Sequence, residues 1–178
     1  IRDNALKVSG LLVERQGGPS VYPYQPAGLW DEISNKSWRY PYLQEPGEGL
    51  YRRSIYSIWK RTSPPPSMLI FDIANRDVCT VRRKPSDTPL QALVLLNDTQ
   101  YQEASRLLAE EVLRDHVSEG APGLQDLFRI VLGRSPQEEE MHRMKQFYDQ
   151  ELAQFRLHPE KAKALASTGE KPVDSKLD

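Results

Sequence analysis

Glycine and proline are crowded into one stretch of this sequence, and they limit where helices can form. Between residues 17 and 49 lie five of the ten glycines and five of the fourteen prolines. Proline lacks the amide donor that a helix interior needs, and glycine loses more backbone entropy than other residues on ordering. The same stretch is rich in Tyr and Trp, which need burial. Residues 13–50 therefore predict an ordered but irregular wrap over a core, with one short helix over 28–34.

From residue 88 onward the pattern is helical. Thr88, Pro89 and Gln91 supply an N-cap, a first-turn proline and the third-position partner of a capping box. The helix they predict, over 89–96, is apolar nearly all round, so we expect it at the centre of the core. Apolar residues at helical spacing predict further helices over 99–116, over 124–132 with Gly133 as C-cap, after a second capping box at Ser135, and from Pro159 onward.

Two other segments have a helical pattern. Residues 50–62 match a helical stripe, with a strand as the competing interpretation, and the three prolines that follow predict an extended segment. The apolar residues over 5–12 fit one face of a helix, but no N-cap residue precedes them. This is the pattern expected of a helix that has been cut midway. We predict a mainly α fold, a single domain over 1–170 that is a fragment truncated at both ends, and a flexible tail over 171–178.

Composition excludes several classes of protein. The longest apolar run, 92–96, is far shorter than the roughly 18 residues of a membrane helix. The single cysteine, Cys79, excludes a disulfide framework, and with only three histidines a structural zinc site is disfavoured. The arginines around Cys79 suggest a reactive thiol, but a small buried hydrophobic residue is the favoured interpretation. We expect neither a metal nor a cofactor in this chain.

The net charge of −1 conceals a basic segment. Residues 52–87 contain eight Lys or Arg and three Asp, whereas residues 88–178 contain eleven Lys or Arg and sixteen Asp or Glu. Arginine forks suit sulfate, phosphate and carboxylate groups. The alternative is that these arginines pair internally with Asp side chains and helix carbonyls. The candidate ligand-binding residues are Arg52, Arg53, Arg76, Arg82, Arg83 and Trp59, with Trp30 or Trp38 as further stacking partners.

Three functions stay open on these residues. The first is a binding or scaffold module that holds an anionic ligand. The second is part of the active site of a hydrolase or redox enzyme acting on glycans, completed by upstream domains, with Asp72, Asp77 or Asp87 as weak acid/base candidates. The third is a purely structural domain that docks against a neighbouring domain through an exposed apolar patch. Nucleic acid is disfavoured by the isoelectric point of about 6.4.

Three strings of residues carry a resemblance to a known family. They are GGPSV at 17–21 with PYQP at 23–26 and GLW at 28–30; RRSIY at 52–56 with WKRT at 59–62, PPPSM at 64–68 and FD at 71–72; and CTVRR at 79–83 with TPLQAL at 88–93 and LND at 96–98. Together with LFR at 127–129 and LGR at 132–134, they resemble the planctomycete-specific C-terminal domain of unknown function. The resemblance covers about residues 1–170.

The resemblance implies a parent protein and a location, but no reaction. The family's domain follows a second uncharacterised domain and often a planctomycete-type cytochrome c module, so the parent is expected to be bacterial, exported and associated with the periplasm or cell envelope. Handling of sulfated polysaccharide is implied by context. This chain has no Cys-x-x-Cys-His motif, so haem c would belong to an upstream module. The family's usual last helix is expected to be missing here.

Overall fold

Helices form most of the backbone in the computed structural model, which describes residues 1–31, 42–74, 79, 81–82, 86–115 and 123–175. This confirms the mainly α fold class. The helices are α1 Arg2–Val8, α2 Glu48–Tyr51, α3 Pro66–Ile70, α4 Pro89–Asn97, α5 Thr99–Asp115, α6 Leu124–Leu132, α7 Glu138–Leu157 and α8 Pro159–Ala166, with a 3-10 turn at Ser54–Tyr56 between α2 and α3.

Local capping signals place several helix ends correctly. At the start of α4 the Thr88 hydroxyl accepts from the Gln91 amide at 3.3 Å, and the Gln91 side chain accepts from the Thr88 amide at 3.3 Å. Gly133 adopts the left-handed conformation, φ +70°, directly after α6. The predicted helices over 89–96, 99–116 and 124–132 are therefore confirmed.

The capping box of α7 lies two residues later than predicted. Gln137, not Ser135, is the N-cap, and its amide donates to Glu140 at 2.8 Å. Arg134 forms a bidentate pair with the same carboxylate, at 2.8 and 2.7 Å. The hydrogen bonds from Arg134, and then that from the Gln137 amide, lower the pKa of Glu140 to about 2.

Residues 50–62 do not form the predicted helix, and the strand alternative also fails. After α2 and the 3-10 turn, the chain runs beside the wrap and makes only isolated parallel bridges with it. Val21 donates to the Tyr56 carbonyl at 2.8 Å, and Ile58 donates to the Val21 carbonyl at 2.9 Å. These nonlocal partners compete with the i to i−4 bonds of a helix. The predicted extended segment after residue 64 instead contains α3, because Pro66 suits a first helical turn.

The core lies where α1, α2 and α5 meet. It contains Leu6, Leu11, Leu50, Tyr51 and Ala104, with further apolar side chains of α1, the wrap and α5 packed against it. A second cluster lies within the wrap, where the rings of Tyr22, Trp30 and Tyr42 make edge-to-face contacts at 5.1–6.3 Å. These three aromatics are anchors of the wrap, as predicted. Trp38 and residues 32–34 of the predicted 28–34 helix lie outside the described residues, and 27–31 form a turn instead of the predicted helix.

The C-terminal segment lies against the domain as far as the structure describes it. We predicted a flexible tail from residue 171. In the structure Arg106 donates to the Lys171 carbonyl at 2.7 Å, and Arg114 pairs with Asp174 at 3.4 Å. The boundary at 170 therefore does not coincide with a loss of contacts to α5.

Candidate functional site

Arg52, the first residue of the predicted anion site, is buried and bonded within the fold. Its side chain is 0% exposed. The guanidinium donates to the carbonyls of Pro19 at 3.1 Å and Arg15 at 3.2 Å, and also to that of Gly17. It stacks over the ring of Tyr56 at 3.9 Å. Arg52 thus holds the glycine-rich loop of the wrap in place, and it has no surface to offer an external anion.

The other arginines of the predicted site are dispersed. Arg53 is 60% exposed and lies 3.6 Å from the carboxylate of Asp3. Arg82 is exposed, and Trp59 is half-buried. Arg76, Arg83 and the stacking candidate Trp38 lie outside the described residues. The second stacking candidate, Trp30, is buried, and the ammonium of Lys60 lies 4.5 Å from the centre of its ring.

Asp3 itself is held by the segment that follows α2. Burial would raise its pKa, but hydrogen bonds from the Ser54 hydroxyl and amide outweigh it. With the nearby cations of Arg2 and Arg53, they lower the pKa of Asp3 below its usual value. Arg53 therefore takes part in an internal network at the edge of the core.

Of the carboxylate candidates, the structure describes Asp72 and Asp87, which lie after α3 and just before α4. Asp72 has φ +55° and follows α3; Ile73 donates to the Met68 carbonyl at 3.2 Å, which is the Schellman pattern of a helix C-terminus. The Asp72 carboxylate accepts from the Ser86 hydroxyl. Asp87 is exposed, and Asp77 lies outside the described residues. Asp72 therefore acts as a helix-terminating residue that ties α3 to the start of α4.

Cys79 is exposed, so its interpretation as a buried hydrophobic residue is wrong. Of residues 75–85 around it, the structure describes only 79, 81 and 82. No charge partner for the thiol is found there among the described side chains.

The largest departure from the sequence-based expectations is α4. It was expected at the centre of the core, yet four of its leucines are exposed: Leu90 by 54%, Leu93 by 53%, Leu95 by 42% and Leu96 by 68%. We call these four residues the α4 leucine face. Monomeric domains seldom display so many apolar side chains together, and such patches mark contacts with other proteins.

A narrow polar strip anchors α4 to the domain. Gln91 is buried, and its side-chain amide donates to the Ile70 carbonyl at 2.9 Å and to the Ser86 hydroxyl at 2.7 Å. Helices α3 and α5 pack against the same side. Since Gln91 turns a polar side chain inward, the leucines occupy most of the remaining circumference. Helical periodicity could not reveal this arrangement, because α4 is apolar in nearly every direction.

Two open surface depressions contain no predicted site residue. One, of about 540 Å³, lies between α5 and α6, and one, of about 690 Å³, follows a single face of α7. In the ranges that the structure describes, no group of three or more His, Cys, Asp or Glu side chains could hold a metal ion. The described helices also include none that is both long and apolar enough to cross a bilayer.

Comparison with known proteins gives a family but no activity. No curated protein and no solved structure matches the chain. A family model matches residues 1–148, a span that includes the wrap, the core helices, α4 and the first half of α7. The chain therefore belongs to the family PSD1, described as a protein of unknown function (DUF1553).

Proposed function

We propose that this domain is a non-catalytic scaffold module that docks onto another domain of its parent protein through the α4 leucine face. The observation that supports the proposal is the inversion at α4, where leucines face outward and Gln91 faces inward. The site candidates point the same way, because Arg52 and Asp72 have structural roles within the chain.

The exposed area is large enough to drive association. Burying a leucine side chain completely is worth about 1.5–3 kcal/mol, so covering the exposed half of each leucine contributes about 1 kcal/mol. Four such side chains on one short helix offer about 4 kcal/mol before the entropic cost of association is subtracted. Docking would therefore be driven by α4 and completed by contacts around it.

The chemistry of α4 also defines its partner. Pro89–Asn97 contains no charged residue, so the matching surface must be apolar and uncharged at its centre. The family resemblance implies a second uncharacterised domain upstream of this one, and we propose that domain as the occupant. The interface would be a permanent one within a single protein.

We expect the double variant Leu93→Gln/Leu96→Gln to weaken binding of the upstream domain by about 100-fold. Each substitution replaces exposed apolar area with an amide that loses water on docking, at about 1.4 kcal/mol each. Titration calorimetry of this chain with the separately produced upstream domain measures the effect. The fold is expected to be unaffected, because both side chains are already largely exposed.

Phe147→Gln is the matched control. Phe147 is 64% exposed on α7, so the variant removes a comparable apolar side chain from another surface. Its affinity for the upstream domain should equal that of the unaltered chain. Equal affinity for the double variant, equal losses in both variants, or no binding by the unaltered chain would each contradict the docking proposal.

A second candidate function is recognition of a sulfated polysaccharide in the periplasm or cell envelope. It is supported by the surplus of cations over 52–87 and by the exposure of Arg53 and Arg82. Arg52 is not open to such a ligand, because its guanidinium is buried against loop carbonyls.

For this candidate we expect sulfated glycans to bind the chain, neutral glycans not to bind, and salt to weaken the interaction. Arg53→Gln/Arg82→Gln should reduce the affinity about tenfold, since each exposed contact with an anion contributes modestly. Arg143→Gln is the control, an exposed arginine on α7. DNA binding of the same strength and salt dependence would show general attraction of anions and reject polysaccharide recognition.

A further inference from the structure

Glu103 is a fully buried carboxylate in the second turn of α5. Its side chain is 0% exposed. The Tyr51 hydroxyl donates to Glu103 Oε1 at 2.9 Å, and the Tyr24 hydroxyl donates to Oε2 at 3.0 Å. Tyr51 belongs to α2 and Tyr24 to the wrap, so three parts of the chain converge on this carboxylate. Among the described residues, Glu103 is not part of any group of three or more His, Cys, Asp or Glu side chains that could hold a metal ion.

The remaining hydrogen bonds to Glu103 come from the backbone of the C-terminal segment. The amides of Glu170 and Lys171 both donate to Glu103 Oε1 at 2.8 Å. The Glu170 amide also donates to the Tyr24 hydroxyl at 2.9 Å. Two successive amides directed at one anion are a recurring device for binding negative groups. Here the anion is the Glu103 carboxylate, and the amides are those of Glu170 and Lys171 in the C-terminal segment.

The residue before these amides has to be glycine. Gly169 has φ +97°, a conformation that residues with a Cβ seldom adopt. A Cβ at this position would also lie 2.3 Å from Cδ of Glu103, far inside van der Waals contact. The backbone at Gly169 approaches the Glu103 carboxylate more closely than a residue with a Cβ could.

Side chains flanking these amides extend the contact in both directions. The Gly47 amide in the wrap donates to the Glu170 carboxylate at 2.7 Å. Lys171 places its ammonium 5.3 Å from the ring centre of Tyr51, and its carbonyl accepts from Arg106 of α5. The segment is therefore bound through backbone amides, one carbonyl and two side chains.

We infer that Tyr24, Tyr51 and Glu103 form a recognition site for a bent peptide segment in which a glycine precedes two amide donors, and that Gly169–Lys171 is its occupant in this chain. The three residues of the site lie within the family match over 1–148, whereas the occupant lies beyond it. This inference is independent of α4 and of the proposed docking.

The direct test is Gly169→Ala in the full chain, followed by amide hydrogen exchange. Exchange at Glu170 and Lys171 should accelerate at least about 100-fold, because the segment no longer fits over the carboxylate. Gly133→Ala is the matched control. Gly133 has a similar positive φ of +70°, but a Cβ added there would have nothing within 4 Å, so this variant keeps the backbone strain without the clash.

A free peptide with the sequence of residues 166–175 distinguishes a recognition site from simple packing. The segment attached to its own domain acts at an effective concentration of roughly millimolar and is bound there, so the free peptide should bind the Gly169→Ala chain with a Kd of about millimolar or tighter. It should not bind the unaltered chain, whose site is filled. A peptide with alanine in place of its glycine should bind neither. Resonance shifts at Tyr24 and Tyr51 report the binding.

Tyr24→Phe keeps the inference testable where Gly169→Ala does not fold. The Tyr24 hydroxyl accepts from the Glu170 amide, whereas the Lys171 amide donates to Glu103, so exchange should accelerate about tenfold at Glu170 and less at Lys171. Equal exchange rates in all variants would overturn the inference. So would failure of the peptide to bind the folded Gly169→Ala chain, or equal binding of the alanine peptide.

Discussion

Replacing Arg52 with alanine is expected to lower the free energy of unfolding by about 2–4 kcal/mol. The variant removes a fully buried side chain and leaves a cavity beside Tyr56. It also leaves the carbonyls of Arg15, Gly17 and Pro19 without their donor. Those carbonyls lie in an exposed loop and can bind water. The loss of stability is therefore smaller than the summed penalty of leaving three buried acceptors without a donor. Urea denaturation of the variant and the unaltered chain measures the difference.

The neighbouring arginine provides the comparison. Arg53→Ala removes a side chain that is 60% exposed and pairs loosely with Asp3, so its cost should be below about 1 kcal/mol. Arg52→Lys should recover little of the loss, since an ammonium cannot span carbonyls that the planar fork reaches together. If Arg52→Ala proved as mild as Arg53→Ala, Arg52 would not be the residue that holds the loop.

A larger loss, about 3–5 kcal/mol, is expected for Arg2→Ala. Arg2 is buried and donates to the Leu50 carbonyl at 2.8 Å, the Arg52 carbonyl at 2.8 Å and the Gln100 side chain at 2.6 Å. Burial lowers the pKa of the Arg2 guanidinium, opposed mainly by the negative charge of Asp3. Unlike the loop around Arg52, these acceptors lie in the core, where water does not replace the lost donor.

Thermal and urea unfolding of Arg2→Ala should be compared with Lys7→Ala. Lys7 also lies on α1, but it is exposed and pairs with Glu14 on the surface. That control should change stability by less than about 1 kcal/mol. A similar small effect for Arg2→Ala would show that α1 is attached by apolar packing alone, through Leu6 and its neighbours.

Features set by adjacent residues could be predicted from the sequence. The capping box at Thr88 and Gln91, the C-cap at Gly133 and the helical spacing within α5 all depend on residues a few positions apart. The partners of Arg52 lie 33–37 positions away, and Tyr24 lies 79 positions from Glu103. No local pattern distinguishes a buried arginine with carbonyl partners from an exposed arginine that binds an anion.

The error at α4 has a different origin. An apolar helix must be covered, and the prediction of a central α4 assumed that this chain covers it. Hydrophobicity measures how strongly a surface avoids water, but it does not say which molecule supplies the covering surface. The same limit applies to Gly169, whose necessity follows from the position of Glu103 and not from any turn pattern around it.

The contact between the Glu170 amide and Tyr24 joins positions 146 residues apart. During synthesis on the ribosome, Tyr24, Tyr51 and Glu103 emerge long before Gly169 does. Until then the carboxylate lacks two of its donors, and closing so long a loop carries an entropic cost. Contacts of such high sequence separation also slow folding. The domain should therefore reach its final stability only after Gly169–Lys171 has emerged, and products truncated before that segment should be recognisable to proteases.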